Sequence, residues 1–192
     1  LLRAGALPAP LSIIEERSVG PGLGADSISA GKIASIIGML LVCFFMILIY
    51  GVFGIIANIA LFANLFIIIS LLGLIGATLT LPGIAGIVLT IGMAVDANVL
   101  VFERIKEELR KDSKIYLAIK NGFSRAIATI LDANITTLIA ALLLFVFGSG
   151  PIKGFSITLS LGVIASMFTT IMLTNFLVHF WISISNTKNL KL

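Results

Sequence analysis

The pattern of apolar and polar positions is lopsided along this chain. From Ile33 to Val95 there are 63 consecutive residues without Asp, Glu, Lys or Arg. A membrane-crossing helix needs about 20 predominantly apolar residues, so the stretch holds three spans with two short turns. They are predicted at about 31–50, 58–78 and 83–102. The break at Leu81-Pro82-Gly83 suits a turn followed by the first turn of a helix. A charged stretch, 103–125, follows. The fourth span covers about 126–147, ends at Gly148-Ser149-Gly150-Pro151, and a fifth covers about 155–182.

The resulting fold class is an all-α membrane protein with five transmembrane helices. Composition strengthens this reading: 59% of the 192 residues are hydrophobic and 11% charged, where a soluble domain carries about a quarter charged residues. Mean hydropathy is +1.18. A soluble enzyme, a disordered tail and a nucleic-acid-binding module are excluded, so the net charge of +4 is read as loop asymmetry. The lone cysteine, Cys43, sits in an apolar run and makes no internal disulfide.

Lys and Arg set the expected orientation. With five spans, one side carries Arg3, Arg17, Lys32 and Lys153. The other carries Arg104, Lys106, Arg110, Lys111, Lys114, Lys120, Arg125, Lys188 and Lys191, so 9 of the 13 basic residues share a side. That side is expected to be cytoplasmic, with the C-terminus there and the N-terminal segment outside. An outside N-terminus without a signal peptide, on a chain starting at Leu1, is expected to follow a missing upstream span. Residues 1–30, rich in Pro and Gly, read as the end of an external domain and a linker, with a short strand over Leu11–Val19. Ser27 is a plausible N-cap for the first long helix. The connector 103–125 reads as helical, with Ile105 and Leu109 on one face and Glu107–Lys111 as an i,i+4 pair. Its readings are a solvated connector or, second, a docking surface for a partner.

Of the nine acidic residues only Asp96 and Asp132 fall inside predicted spans. A charge at mid-membrane costs roughly 2.5–3.5 kcal/mol on insertion scales, so the two are candidate proton carriers. Asp96 precedes Glu103 by seven residues and Asp132 follows Arg125 by seven. At 1.5 Å per residue both are expected about 10 Å below the same boundary. Each opens the same triplet, Asp96-Ala97-Asn98 and Asp132-Ala133-Asn134. Asn98, Asn134, Thr129 and Thr136 are the supporting polar residues. A protonated, hydrogen-bonded structural pair is the competing reading.

Three stripes of small residues recur at helical spacing: Gly83, Gly86, Thr90, Ala94 and Ala97; Thr129, Asp132, Thr136 and Ala140; and Thr158, Gly162, Ala165 and Thr169. Such faces let membrane helices approach closely. Asn58 and Asn64 are expected to be interhelical hydrogen-bond partners, His179 an interfacial residue or, less favoured, a proton relay, and Trp181 an interfacial anchor. Neither metal-ligand spacing nor a nucleophile–base motif appears. No catalytic residue and no cofactor are expected beyond H⁺ or Na⁺ as a coupling ion.

Several of these residues belong to longer runs. Val95-Asp96-Ala97-Asn98-Val99-Leu100-Val101-Phe102-Glu103-Arg104-Ile105 resembles a signature of the SecD branch of the SecD/SecF family of bacterial protein-export membrane subunits. So do Gly122-Phe123 with Ala126, Ile130 through Leu138, and Gly148 through Phe155. The tail also resembles it, from Leu2 to Pro10 with Glu15-Glu16-Arg17 and Val19-Gly20-Pro21. The SecF signature has Asp-Arg-Ile in place of Glu103-Arg104-Ile105.

The resemblance implies six spans with a large periplasmic domain between the first two, so that this chain holds the end of that domain and spans two to six. It implies membership of the proton-driven resistance-nodulation-division superfamily and a place in the bacterial inner membrane. It further implies a complex with SecF that associates with the SecYEG channel. There the proton motive force helps complete translocation of unfolded preproteins after the ATPase SecA has acted. The intramembrane aspartates of the family fall on Asp96 and Asp132; the charged partners on SecF lie outside this chain. Membrane lipid is an expected partner and nucleic acid is not. The rival readings are a proton-driven lipid or drug exporter of the same superfamily, a non-transporting scaffold, and a membrane aspartyl protease.

Overall fold

The computed structural model describes residues 21–111 and 114–185. Every described element is helical: α1 (Pro21–Tyr50), α2 (Val52–Ile75), α3 (Leu81–Leu109), α4 (Ile115–Phe147), α5 (Pro151–Phe168), a π-helical turn (Thr169–Thr174) and α6 (Asn175–Ser185). α5, the π turn and α6 form one rod, so five helices are long and apolar enough to cross a membrane. The segment Leu11–Val19 lies outside the described residues.

The helices run past the spans expected from hydropathy, for local reasons. α2 starts at Val52 because one residue makes the reversal: Gly51 has φ 52°, a backbone state open mainly to glycine. α3 starts at Leu81, where the Thr80 hydroxyl accepts from the Gly83 amide at 3.2 Å and Pro82 occupies the first turn, where its missing N–H is no loss. α1 starts at Pro21, so Ser27 lies within the helix rather than at its cap.

The connector 103–125 is mostly the ends of α3 and α4. Ion pairs at i,i+3 line it: Arg104–Glu107 at 2.7 Å, Lys106–Glu103 at 3.4 Å and Lys111–Glu108 at 2.8 Å. Lys111 thus pairs with Glu108 rather than with Glu107. Nor is the connector simply solvated. Ile105, Ile119 and Phe123 are buried in the main core with Phe53 and Phe102, and Arg125 on α4 reaches the buried Glu108 on α3 at 2.9 Å.

α3 and the α5 rod form the centre of the bundle. Gly83, Gly86, Thr90, Ala94 and Ala97 on α3 are buried, as are Thr158, Gly162, Ala165 and Thr169 on the rod. The approach is close enough that a methyl group at Gly162 would stand 2.6 Å from the Thr90 Cβ. With no free energy gained by hiding apolar surface from lipid tails, such close packing and interhelical hydrogen bonds hold membrane helices together. α1 and α4 lie at the periphery. Only 11% and 17% of their apolar windows are buried, against 44% for α2, α3 and the rod.

Candidate functional site

Asp96 sits on the side of α3 away from the rod. It is exposed to a cavity of about 210 Å³ between α3 and α4, lined also by Met93, Ala97, Leu100, Thr129, Ile130, Ala133, Asn134 and Thr137. A second, apolar groove runs from Asp96 along α1, past Leu41, Phe44, Phe45 and Leu48. The carboxyl therefore stands where a polar recess meets an apolar one.

Of the expected site residues, the fold brings Asp96, Thr129 and Asn134 to this cavity. Asn134 is buried, and its side-chain amide donates to the Ile130 carbonyl one turn back at 2.8 Å. Asn98 points the opposite way, because two residues along a helix turn a side chain by about 200°. It is buried in the bundle, and its Oδ1 accepts from the Thr174 hydroxyl at 2.9 Å. The two Asp-Ala-Asn triplets are thus used differently: one asparagine caps its own helix turn and the other ties α3 to the π turn.

Asp132 and Thr136 do not line the cavity. Both are exposed on α4, in line with Thr129 and Ala140, and the Thr136 hydroxyl donates to the Asp132 carbonyl at 2.9 Å. No hydrogen bond joins the Asp96 and Asp132 carboxyls, and no ion pair reaches either among the described residues. The two carboxyls are thus not bonded to each other in this arrangement. Asp132, Thr136 and Ala140 are turned outward, while Thr129 at the start of the stripe lines the cavity.

The remaining polar residues sort clearly. Asn58 donates to the Cys43 carbonyl across α1–α2 at 3.0 Å, an interhelical bond as expected. Asn64 is fully buried yet neither its amide nitrogen nor its oxygen has a partner. His179 lies 5.6 Å from the Tyr116 ring between centroids, and Trp181 packs edge-on against Phe53 at 5.7 Å. No cluster of His, Cys, Asp and Glu among the described residues has metal-holding geometry.

Sequence reasoning missed two features. One is the π turn itself, which is foreshadowed only by Thr169, Thr170 and Thr174 crowding an otherwise apolar span. The other is the Tyr50 hydroxyl, which donates to Glu103 at 3.1 Å and ties the end of α1 to α3. Its only signal was a tyrosine at the end of the first span and a glutamate at the end of the third.

Comparison with known proteins matches these features. The family described as protein export membrane protein SecD/SecF, C-terminal, covers residues 6–183. The protein translocase subunit SecD of Rickettsia conorii is 60% identical over 192 residues, 100% of this chain and 37% of that protein. The SecD of Desulfurispirillum indicum is 61% identical over 174 residues, 91% of this chain and 34% of that protein. The chain thus spans about a third of the length of these curated relatives. The crystal structure of SecDF, a translocon-associated membrane protein from Thermus thermophilus, superposes with a TM-score of 0.89. It is 43% identical and matches 100% of this chain and 27% of that one. With its five long apolar helices, this chain belongs to the SecD/SecF family of multi-pass protein export membrane proteins and corresponds to the family's C-terminal region.

Proposed function

We propose that this chain is the ion-coupling membrane region of a SecD-type translocase subunit, using the proton motive force to assist late preprotein translocation in the Sec export pathway. The observation that carries the reading is Asp96. It is an acidic residue within a hydrophobic span, without an ion pair among the described residues, facing a cavity whose wall offers Thr129, Asn134 and Thr137. A carboxyl kept there against the cost of placing charge in a membrane marks an ion pathway by default.

Asp96 and Asp132 are the proton-coupling residues in this reading, and Asn98, Asn134, Thr129 and Thr136 support them. When Asp96 takes up a proton its charge disappears and the α3–α4 cavity no longer has to solvate it. The preferred packing of α3 against α4 then changes. Because α3 also packs on the rod and is bonded through Asn98 to the π turn, a shift at Asp96 moves the centre of the bundle. One charge crossing 100 mV releases about 2.3 kcal/mol, and about 1.4 kcal/mol is tenfold in an equilibrium, enough to drive a two-state element.

The end bearing Glu103–Arg125 is cytoplasmic in this proposal, residues 1–30 lie on the periplasmic side of a bacterial inner membrane, and 31–192 form the bundle. The outward face of α4 belongs against SecF, which covers Asp132 from lipid. SecYEG and, indirectly, SecA are the further partners, and the cargo is unfolded preprotein. The chain works as a transport component and makes or breaks no covalent bond.

The test is Asp96→Asn in the full-length protein in cells. Accumulation of uncleaved secretory precursor at normal membrane levels of the variant is expected. Normal export would remove Asp96 from the coupling path and leave Asp132 or a scaffold role.

A further inference from the structure

The α2 face opposite the rod carries an unexplained set of polar atoms. Five buried side-chain atoms among the described residues lack any hydrogen-bond partner: Asn58 Oδ1, Asn64 Nδ2, Asn64 Oδ1, Thr170 Oγ1 and Asn175 Oδ1. All lie on α2, on the π turn or on the first residue of α6. Asn64 and Thr170 are fully buried, and Asn58 is 8% exposed.

Their register is fixed by contacts at both ends. Phe53 meets Trp181, with ring centroids 5.7 Å apart, and Ile68 and Leu72 cluster with Ala165. Between these contacts α2 and the rod run antiparallel and in step. Asn64 therefore falls level with Thr170. Asn64 and Thr170 thus form one polar level where α2 meets the π turn, whereas Asn58, six residues and about 120° around α2 from Asn64, is turned to the Cys43 carbonyl on α1.

We propose that this seam is a bound-water site, in which ordered water bridges Asn64 to Thr170. The chemistry selects water over the alternatives. Buried polar groups are almost always hydrogen-bonded, to protein or to ordered water, and a water at such a site serves two to four otherwise unsatisfied groups. The orphans include a donor, Asn64 Nδ2, as well as acceptors. A cation would satisfy the oxygens and be repelled by the amide hydrogens, while water serves both. No carboxylate belongs to the set, so nothing in it balances a cation's charge. The π turn gives the seam its place. A π-helical turn carries an extra residue relative to an α-helix and recurs at functional positions. Here the turn packs against α2 while Thr174 reaches Asn98 on α3. Bridging water ties the turn to α2, so that the turn is held from two sides and the seam lies on the far side of α3 from the Asp96 cavity.

The test is a map of the full-length protein with its partner subunit in lipid nanodiscs, at a resolution that shows water, prepared once in Na⁺ and once in choline buffer. Peaks are expected in both, at about 2.7–3.2 Å from Asn64 Nδ2 and from the Thr170 hydroxyl. A direct Asn64–Thr170 hydrogen bond with no density between would overturn the proposal. So would a peak that vanishes in choline, which identifies a cation. In a second map, Thr170→Val should lose the peak beside residue 170 with the helices unmoved; an unchanged peak would show that the hydroxyl does not hold it. If that variant does not fold, the two wild-type maps decide the matter.

Discussion

Two stripes of small residues run along neighbouring helices of this molecule, and they meet opposite fates. On α3, Gly83, Gly86, Thr90, Ala94 and Ala97 are buried against the rod. On α4, Asp132, Thr136 and Ala140 face outward, while Thr129 lines the cavity toward α3. In composition and spacing the two look alike. The difference is what each stripe meets. The α3 stripe has a complementary one within the chain, Thr158, Gly162, Ala165 and Thr169, whereas the α4 stripe has none among the described residues. An outward carboxyl in a lipid-facing position is costly, so the α4 face is the one that calls for a cover from outside the described residues. A small-residue face in a membrane helix thus says that something packs closely, without saying whether the partner is within the chain.

Three substitutions test that contrast, in decreasing order of effect. Gly162→Val places a branched side chain on Thr90 where the helices already touch. Overpacking of this kind typically costs about 1–3 kcal/mol and occasionally more, so the full-length protein should unfold at lower denaturant and accumulate poorly in membranes. Unchanged stability would mean that α3 and the rod are not held as closely as described.

Thr136→Leu should behave the other way. Surface changes stay within about 0.5 kcal/mol, so the protein's own stability should hold. Its co-purification with the proposed SecF-type partner should fall about tenfold, the equivalent of about 1.4 kcal/mol. Loss of stability without loss of partner binding would invert the contrast and assign the α4 face to the interior of the protein.

Tyr50→Phe lies on neither stripe and sets the scale for an ordinary side-chain bond. Removing its hydrogen bond to Glu103 should cost about 0.5–1.5 kcal/mol, read as a small shift in unfolding midpoint with partner binding unchanged. A larger effect would give the α1–α3 contact at the charged end more weight than the buried stripe.

Much of the site was legible in the sequence because charge is so unfavourable in a membrane. Asp96 and Asp132 stood out as the only acidic residues within apolar spans, and the paired Asp-Ala-Asn triplets drew attention to Asn98 and Asn134. Sequence distance could not tell which way each side chain points. The two triplets match residue for residue, yet Asp96 faces a cavity while Asp132 faces outward, and Asn98 crosses to Thr174 while Asn134 bonds within its own helix. The connector misled for a related reason. Its charges suggested a solvated strap, but Ile105, Ile119 and Phe123 carry the core on through it, since a helix can be charged on one face and buried on the other.

The sequence by itself determined that this chain is helical, with five spans long and apolar enough to cross a membrane, and which side chains are out of place there. Those follow from one-dimensional quantities: the length of apolar runs and the cost of charge in hydrocarbon. Only the tertiary structure decided which small stripe is closed and which is open, that the two aspartates are not a bonded pair, and that α2 and the π turn confront each other with unpaired polar atoms. Those depend on the rotation of each helix about its axis and on the one-residue excess of the π turn. Both are set by packing against neighbours that are distant in sequence.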